Sequence, residues 1–167
     1  MNAELLNKNI LRFVFLGLIQ GVILQSVDLA YVEFFIFPLF ILMFPLGLSD
    51  SLFLLICFVF GLYIDMFYNT MGLFTSTAVL TGAAKKFILA LFEPRGGYEP
   101  WKTFSKANYG LNWFVKYAAV FLLLNAIWIC LLEDLHLSWI WFVRVMLNFI
   151  ISFILIMSYQ FVFNPKD

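Results

Sequence analysis

From Phe13 to Ala84 the chain carries no lysine or arginine, and within that stretch Leu29 to Phe67 is nearly continuous apolar sequence. A soluble fold cannot hide such a run. Residues are 64% hydrophobic and only 12% charged, whereas soluble domains carry about 25% charged residues. Polar side chains are therefore too scarce to coat the surface that remains exposed after folding, and lipid must act as the main solvent. Ten Lys and Arg balance ten Asp and Glu, so net charge points to no nucleic-acid partner and the information lies in where the charges fall.

A membrane-spanning helix needs about 20 predominantly apolar residues. The sequence offers such segments at about 10–27, 71–92, 114–132 and 139–163. Lys8 and Arg12 precede the first of them, but no A-x-A-like cleavage site follows, so the segment reads as an uncleaved helix and not a signal peptide. The stretch from Leu29 to Phe67 is too long for one crossing. Pro45, Gly47, Ser49 and Asp50 punctuate it, which predicts two helices at about 29–47 and 50–67 joined by a tight turn.

Charge placement leads to the same count. Apart from Arg144 and Lys166, the cations occur before the first span, at Lys85 and Lys86, and around the polar stretch Glu93 to Trp113 (Arg95, Lys102, Lys106 and Lys116). Asp28, Glu33, Glu133 and Asp134 occupy the other connections. The positive-inside rule sets both basic regions in the cytoplasm. The expectation is a single all-α domain, a polytopic bundle of about six transmembrane helices with both termini cytoplasmic and a basic cytoplasmic loop at 93–113. Tyr98, Trp101, Tyr109 and Trp113 near the inner face, and Trp139 and Trp141 near the outer face, read as headgroup-zone anchors.

Several polar or small residues interrupt the spans. Gly17 and Gly21 form a small-xxx-small seam, with Gln20 and Gln25 beside it to hydrogen-bond across. The seam suits either an internal helix or another protein. Gly61 and Asp65 project from one face of the third span, and an ionisable group at that depth must be paired or protonated unless it reaches the interface. Arg144, Asn148 and Ser152 recur at i, i+4 and i+8 and form one polar stripe that should be turned away from lipid. The expectation is that Arg144 pairs with Asp65, the alternative being that it snorkels to outer headgroups. Lys85 and Lys86 are expected to snorkel to the inner interface. There they could join Arg95, Lys102 and Lys106 in contacting anionic lipid.

Cys57 and Cys130 each lie inside an apolar run and read as small buried hydrophobes. His136 is the single histidine, so the sequence offers no metal-ligand cluster. It also contains no P-loop, H-E-x-x-H or G-x-S-x-G signature, and the expectation is a protein that is not an enzyme and carries no cofactor.

The segment Phe60-Gly61-Leu62-Tyr63-Ile64-Asp65-Met66-Phe67, followed by Gly72-Leu73 and the small residues from Thr75 to Ala84, resembles the signature region of the MreD family of rod shape-determining proteins. The resemblance implies a scaffold of the bacterial elongation complex in the inner membrane. Its partners would be MreC, the MreB filament and the cell-wall glycosyltransferase and transpeptidase, and its motif positions Gly61, Asp65 and Gly72. The long aromatic and basic loop from Pro94 to Trp113 departs from the family pattern. MreD is in turn similar to the S-components of energy-coupling-factor transporters. This supplies the alternative: a vitamin-binding subunit with an outward pocket lined by Asp65, Arg144, Asn148 and His136.

Overall fold

The computed structural model describes residues 3–23, 34–134 and 138–163, and all regular structure among them is helical. Helix α1 (Ala3–Leu18) continues into a π-helical turn at Ile19–Ile23, and α2 (Pro38–Met43) is short. Then follow α3 (Asp50–Tyr68), α4 (Leu73–Leu91), a single turn α5 (Lys106–Tyr109), α6 (Leu111–Glu133) and α7 (Trp139–Phe163). Helices α3, α4, α6 and α7 are each long and apolar enough to cross a membrane. Their 19 to 25 residues correspond to roughly 28–38 Å at about 1.5 Å per residue, against a hydrocarbon core of about 30 Å.

The helix ends follow from local chemistry. Helix α3 stops at Asn69, whose φ of 52° is left-handed and whose N–H donates to the carbonyl of Asp65, a common C-terminal cap. Gly72, at φ 90°, then turns the chain back into α4, a conformation that glycine alone adopts without steric cost.

Helices α1 and α3 run parallel. A Cβ placed on Gly17 would strike the ring of Tyr63 at 2.2 Å, and one on Gly21 the ring of Phe67 at 2.5 Å. Both numbers therefore rise together along the contact. The small-xxx-small seam is an internal one, formed where two helices approach too closely for side chains on α1. Because α1 and α3 are parallel, the segment between them must return the chain along the length of the bundle. Helix α4 is antiparallel to α3 and pairs Lys86 near its end with Asp50 at the start of α3.

That returning segment departs from expectation. In place of a continuous helix over 29–47, the described part is non-helical up to Phe37, helical only over Pro38–Met43, and non-helical again up to Ser49. Pro38 fits only the first turn of a helix, and Pro45 forbids continuation. Every residue of α2 is buried, with Phe35, Phe37, Leu39, Ile41 and Leu42 at 0–1% exposure. It lies against α1, α4 and α6. Irregular backbone at membrane depth is tolerated only where protein covers it, and here the helices surround it.

Helix α4 is the least apolar of the long helices and the most enclosed. Its mean hydropathy is 1.2 with half of it buried, against 2.3 and 28% for α7. Its inward face carries Thr77, Thr81 and Gly82. The Thr77 hydroxyl donates to Leu73 O and that of Thr81 to Thr77 O, so neither needs water.

The basic segments collect at one end of the bundle. Asn9 of α1 lies beside Phe44 and Leu48. The 92–110 loop reaches Met43 O through the N–H of Phe104, and the N–H of Lys106 meets Gln160 of α7. The first turns of α1 and the last turns of α7 therefore share this end. Gln25, Asp28, Glu33 and His136 lie outside the described residues.

Candidate functional site

Asp65 is 4% exposed and its carboxylate is fully engaged by the start of α4. Oδ1 accepts from the Thr70 hydroxyl (2.5 Å) and the Phe74 N–H (3.0 Å). Oδ2 accepts from the Thr75 N–H (2.9 Å) and hydroxyl (2.5 Å). Gly72, at the N-cap position of α4, has no side chain to satisfy the first free N–H groups of that helix. Asp65 does so from the preceding helix, with its negative charge at the positive end of the α4 dipole. Gly61 makes the approach possible: a Cβ there would stand 2.4 Å from Thr75 Cα and 2.8 Å from Phe74 O. Gly61, Asp65 and Gly72 thus form one device, a clamp that fixes the α3–α4 hairpin.

This arrangement corrects the expected partner of Arg144. Its guanidinium pairs with Glu133 at the end of α6, Nη2 to Oε2 at 2.6 Å, with the two side chains 25% and 17% exposed. Asp65 offers its charge to backbone N–H groups and has no need of a cation, while Glu133 at the end of α6 lies beside Arg144 in the second turn of α7. The rest of the polar stripe turns inward. Asn148, Ser152 and Gln160 are each at most 3% exposed, and the Asn148 amide lies 3.7 Å from the Cys130 sulfur. Cys57 and Cys130 are buried and not joined in a disulfide.

A second set of polar side chains holds the broken segment around α2. Gln20, fully buried in the π-helical turn, accepts from the N–H groups of Ile36 (2.8 Å) and Phe37 (3.2 Å) and donates to Phe34 O (2.9 Å) and the Tyr68 hydroxyl (2.8 Å). The π-turn, a geometry frequent at functional sites, carries this side chain. At the other end, Lys85 is 1% exposed. It donates to Ile41 O (2.8 Å) and Phe44 O, and its ammonium stands 4.9 Å from the Phe104 ring centre and 5.1 Å from that of Phe53. The Tyr117 hydroxyl donates to Leu42 O (3.1 Å), and the Phe104 N–H to Met43 O (3.2 Å). The carbonyls that end α2 are therefore answered by groups from α4, α6 and the loop. Lys85 does not snorkel and takes no part in an anionic surface, because its charge is spent on the negative end of a buried half-helix.

The remaining lipid candidates divide. Lys86 is exposed and pairs with Asp50. Arg95 is exposed. Lys102 binds Glu99 at 2.8 Å, a hydrogen bond that raises its pKa. Lys106 is 6% exposed, with its ammonium 4.1 Å from the Phe161 ring centre. The loop itself is a packed cap. Tyr98, Phe104, Tyr109, Trp113 and Tyr117 pack ring against ring in succession, some edge-to-face and some stacked, with ring centres 4.7 to 5.5 Å apart. Trp113 Nε1 donates to Phe92 O and the Tyr98 hydroxyl to Leu89 O. Partial burial raises the Tyr98 pKa and keeps its hydroxyl a donor. Trp101 packs beneath Gly47, where a Cβ would meet its ring at 2.3 Å. Trp139 is 81% exposed, as an anchor would be, but Trp141 is buried and donates to Cys130 O.

At the opposite end from the basic cap, an open depression of about 490 Å³ has Thr70, Met71, Gly72 and Ser76 on one side and Leu132 and Glu133 on the other. Met71 stands fully exposed at its rim. The clamp and the Arg144–Glu133 pair thus flank one surface.

A helical bundle with four helices able to cross a membrane defines the chain as an integral membrane protein in type. Compared with known protein families, curated proteins and solved structures, it matches none. Among the described residues, no three His, Cys, Asp or Glu side chains are grouped to hold a metal ion.

Proposed function

We propose that this chain is a non-catalytic membrane scaffold of the bacterial cell-elongation complex, of the MreD kind. It crosses the inner membrane six times with both termini cytoplasmic. α1 and its π-turn make the first crossing, and the broken segment through α2 makes the second. The parallel packing of α1 and α3 supports that count, since the chain must traverse the bundle between them. The gathering of Lys8, Arg12, Arg95, Lys102 and Lys106 at one end supports the orientation.

The observation that carries the reading is the clamp. The Gly61, Asp65 and Gly72 positions on which the family resemblance rests are the ones that pin a hairpin and present Thr70 and Met71 beside Leu132 and Glu133 on the outer face. A rigid outer edge with an exposed methionine suits docking of MreC, and through it MreB and the cell-wall synthases. The vitamin-binding alternative draws no comparable support. Asp65, Arg144 and Asn148 each face a group of the chain itself and do not converge on a common cavity.

The test is a photocrosslinking residue at Met71, followed by gentle-detergent purification from the host membrane and mass spectrometry of proteins and small molecules. A crosslink to MreC, with cell-wall synthases recovered, is the expected result. A stoichiometric vitamin with ATPase subunits and no MreC would overturn the reading.

A further inference from the structure

The same parallel packing that closes α1 against α3 in the outer half leaves them apart in the inner half. Gly17 and Gly21 zip onto Tyr63 and Phe67. One turn below, Phe13 reaches Phe60 and Tyr63, with ring centres 4.9 and 5.7 Å away. Below that the two helices diverge around a groove of about 330 Å³. Its floor is Phe40 and Phe44, its lips are Ile10 on one side and Leu55 and Val59 on the other, and Asn9 closes its inner end. Phe40 and Phe44 are at most 5% exposed, whereas Ile10, Leu55 and Val59 are about half exposed (53%, 56% and 48%). The groove therefore opens sideways, towards lipid.

We infer that this groove seats one acyl chain of an anionic phospholipid of the inner leaflet, with its headgroup at Asn9 and Arg12. Two features of α1 at the groove, one in its wall and one beside it, point to such an occupant. Asn9 is 5% exposed, yet its Nδ2 has no hydrogen-bond partner, and a donor left unmatched in an apolar wall calls for an acceptor. Arg12, one turn further along α1, likewise has a buried Nη1 without a partner. The phosphate and ester oxygens of a glycerophospholipid supply acceptors to both at the point where its chain enters the membrane. The volume lies near the lower bound of small-molecule pockets, about 300 Å³, which fits a slim aliphatic chain better than a ring system. The polarity is also right: the cations lie at the basic end and the groove runs from them towards mid-membrane, as a lipid of that leaflet does. This inference rests on the membrane orientation proposed above and is independent of the scaffold role.

The test is native mass spectrometry of the full chain, titrated with phosphatidylglycerol or phosphatidylcholine of equal chain length. The wild type should hold one phosphatidylglycerol in preference to phosphatidylcholine. Val59→Trp, which fills the groove, should weaken that binding by about tenfold or more, and Arg12→Gln should reduce the headgroup preference by about fivefold, the worth of one cation near anionic lipid. Ile127→Trp, on an exposed face of α6, controls for bulk at a lipid-facing site. Helicity and detergent-melting profiles of Val59→Trp should match those of Ile127→Trp. If Val59→Trp retains phosphatidylglycerol as the wild type does, or if the two lipids bind alike, the inference fails. A second copy of the chain in place of lipid in the groove, seen as a dimer that Val59→Trp dissociates, would also overturn it.

Discussion

Replacing Asp65 by Asn removes the charge of the clamp while keeping its size, and the cost can be worked from the four hydrogen bonds it makes. An amide keeps one oxygen and turns an NH₂ towards the donors that met the other. One pair is retained in weakened, uncharged form. In the second pair the Thr hydroxyl can rotate to accept from the new NH₂, but the backbone N–H of Phe74 or Thr75 cannot. One charge-assisted bond is lost, at about 1.5–3 kcal/mol, and one buried N–H is left facing a donor. The expected destabilisation is therefore about 2–4 kcal/mol. Asp65→Ala, which strands both N–H groups, should cost about 3–5 kcal/mol. Thr75→Val keeps the Thr75 N–H bond, loses only the hydroxyl bond to the carboxylate, and should cost about 1.5–3 kcal/mol. The assay is equilibrium unfolding in mixed detergent micelles followed by circular dichroism, read together with a double-mutant cycle between Asp65→Asn and Arg144→Gln. A loss below about 0.5 kcal/mol for Asp65→Asn, or a coupling to Arg144 above that level, would refute the clamp and restore the pairing of Asp65 with Arg144.

Three further outcomes follow from the same geometry. Exchanging the charges as Glu133→Arg with Arg144→Glu should recover stability that either single change loses, whereas Asp65→Arg with Arg144→Asp should be no better than its singles; unfolding midpoints decide both. With cysteine introduced singly at Lys85 or Lys86, a membrane-impermeant maleimide should label position 86 from the basic side and leave position 85 unmodified, because Lys86 is exposed and Lys85 is enclosed by Phe53 and Phe104; equal labelling would restore the snorkelling reading. Gly61→Ala drives a methyl into backbone at 2.4 Å and should cost about 1–3 kcal/mol or more as overpacking, while Gly96→Ala, with open space around it, should leave the melting profile within about 0.5 kcal/mol of wild type.

The long helices were legible because their signal is simple: an apolar run of sufficient length, bounded by Asn69 and Gly72, by Pro94, or by Gly110. The inward face of α7 was legible for a similar reason, since Arg144, Asn148 and Ser152 fall on one helical stripe. The two electrostatic assignments that failed share a cause. Sequence reasoning paired side chain with side chain by depth, and so matched Asp65 with Arg144 and sent Lys85 to the interface. In the structure the partners of Asp65 and Lys85 are backbone groups at helix ends. The signal available for Asp65 was the spacing to Thr70 and Thr75 around Gly72. For Lys85 it was the pair of prolines around a six-residue helix, which leaves carbonyls that some donor must meet.

The second predicted helix is not continuous over its described part, for a reason that makes it informative. Hydropathy treats residues 34–44 as part of one apolar helix, but the satisfaction of their backbone groups does not come from helix formation. It comes from Gln20 on the π-turn of α1, Lys85 on α4, Tyr117 on α6 and the Phe104 N–H of the basic cap, each supplying a hydrogen bond that a continuous helix would have made within itself. Such a segment cannot form before the helices around it are in place, since each unsatisfied backbone group in hydrocarbon costs several kcal/mol. Removing one supporter should accordingly loosen the others. Gln20→Leu should raise hydrogen exchange at Ile36 and Phe37, whose N–H groups it accepts, and also at Phe104, whose N–H ends the same segment from the far side of the bundle. An increase confined to Ile36 and Phe37 would mean that the two ends of the segment are held independently.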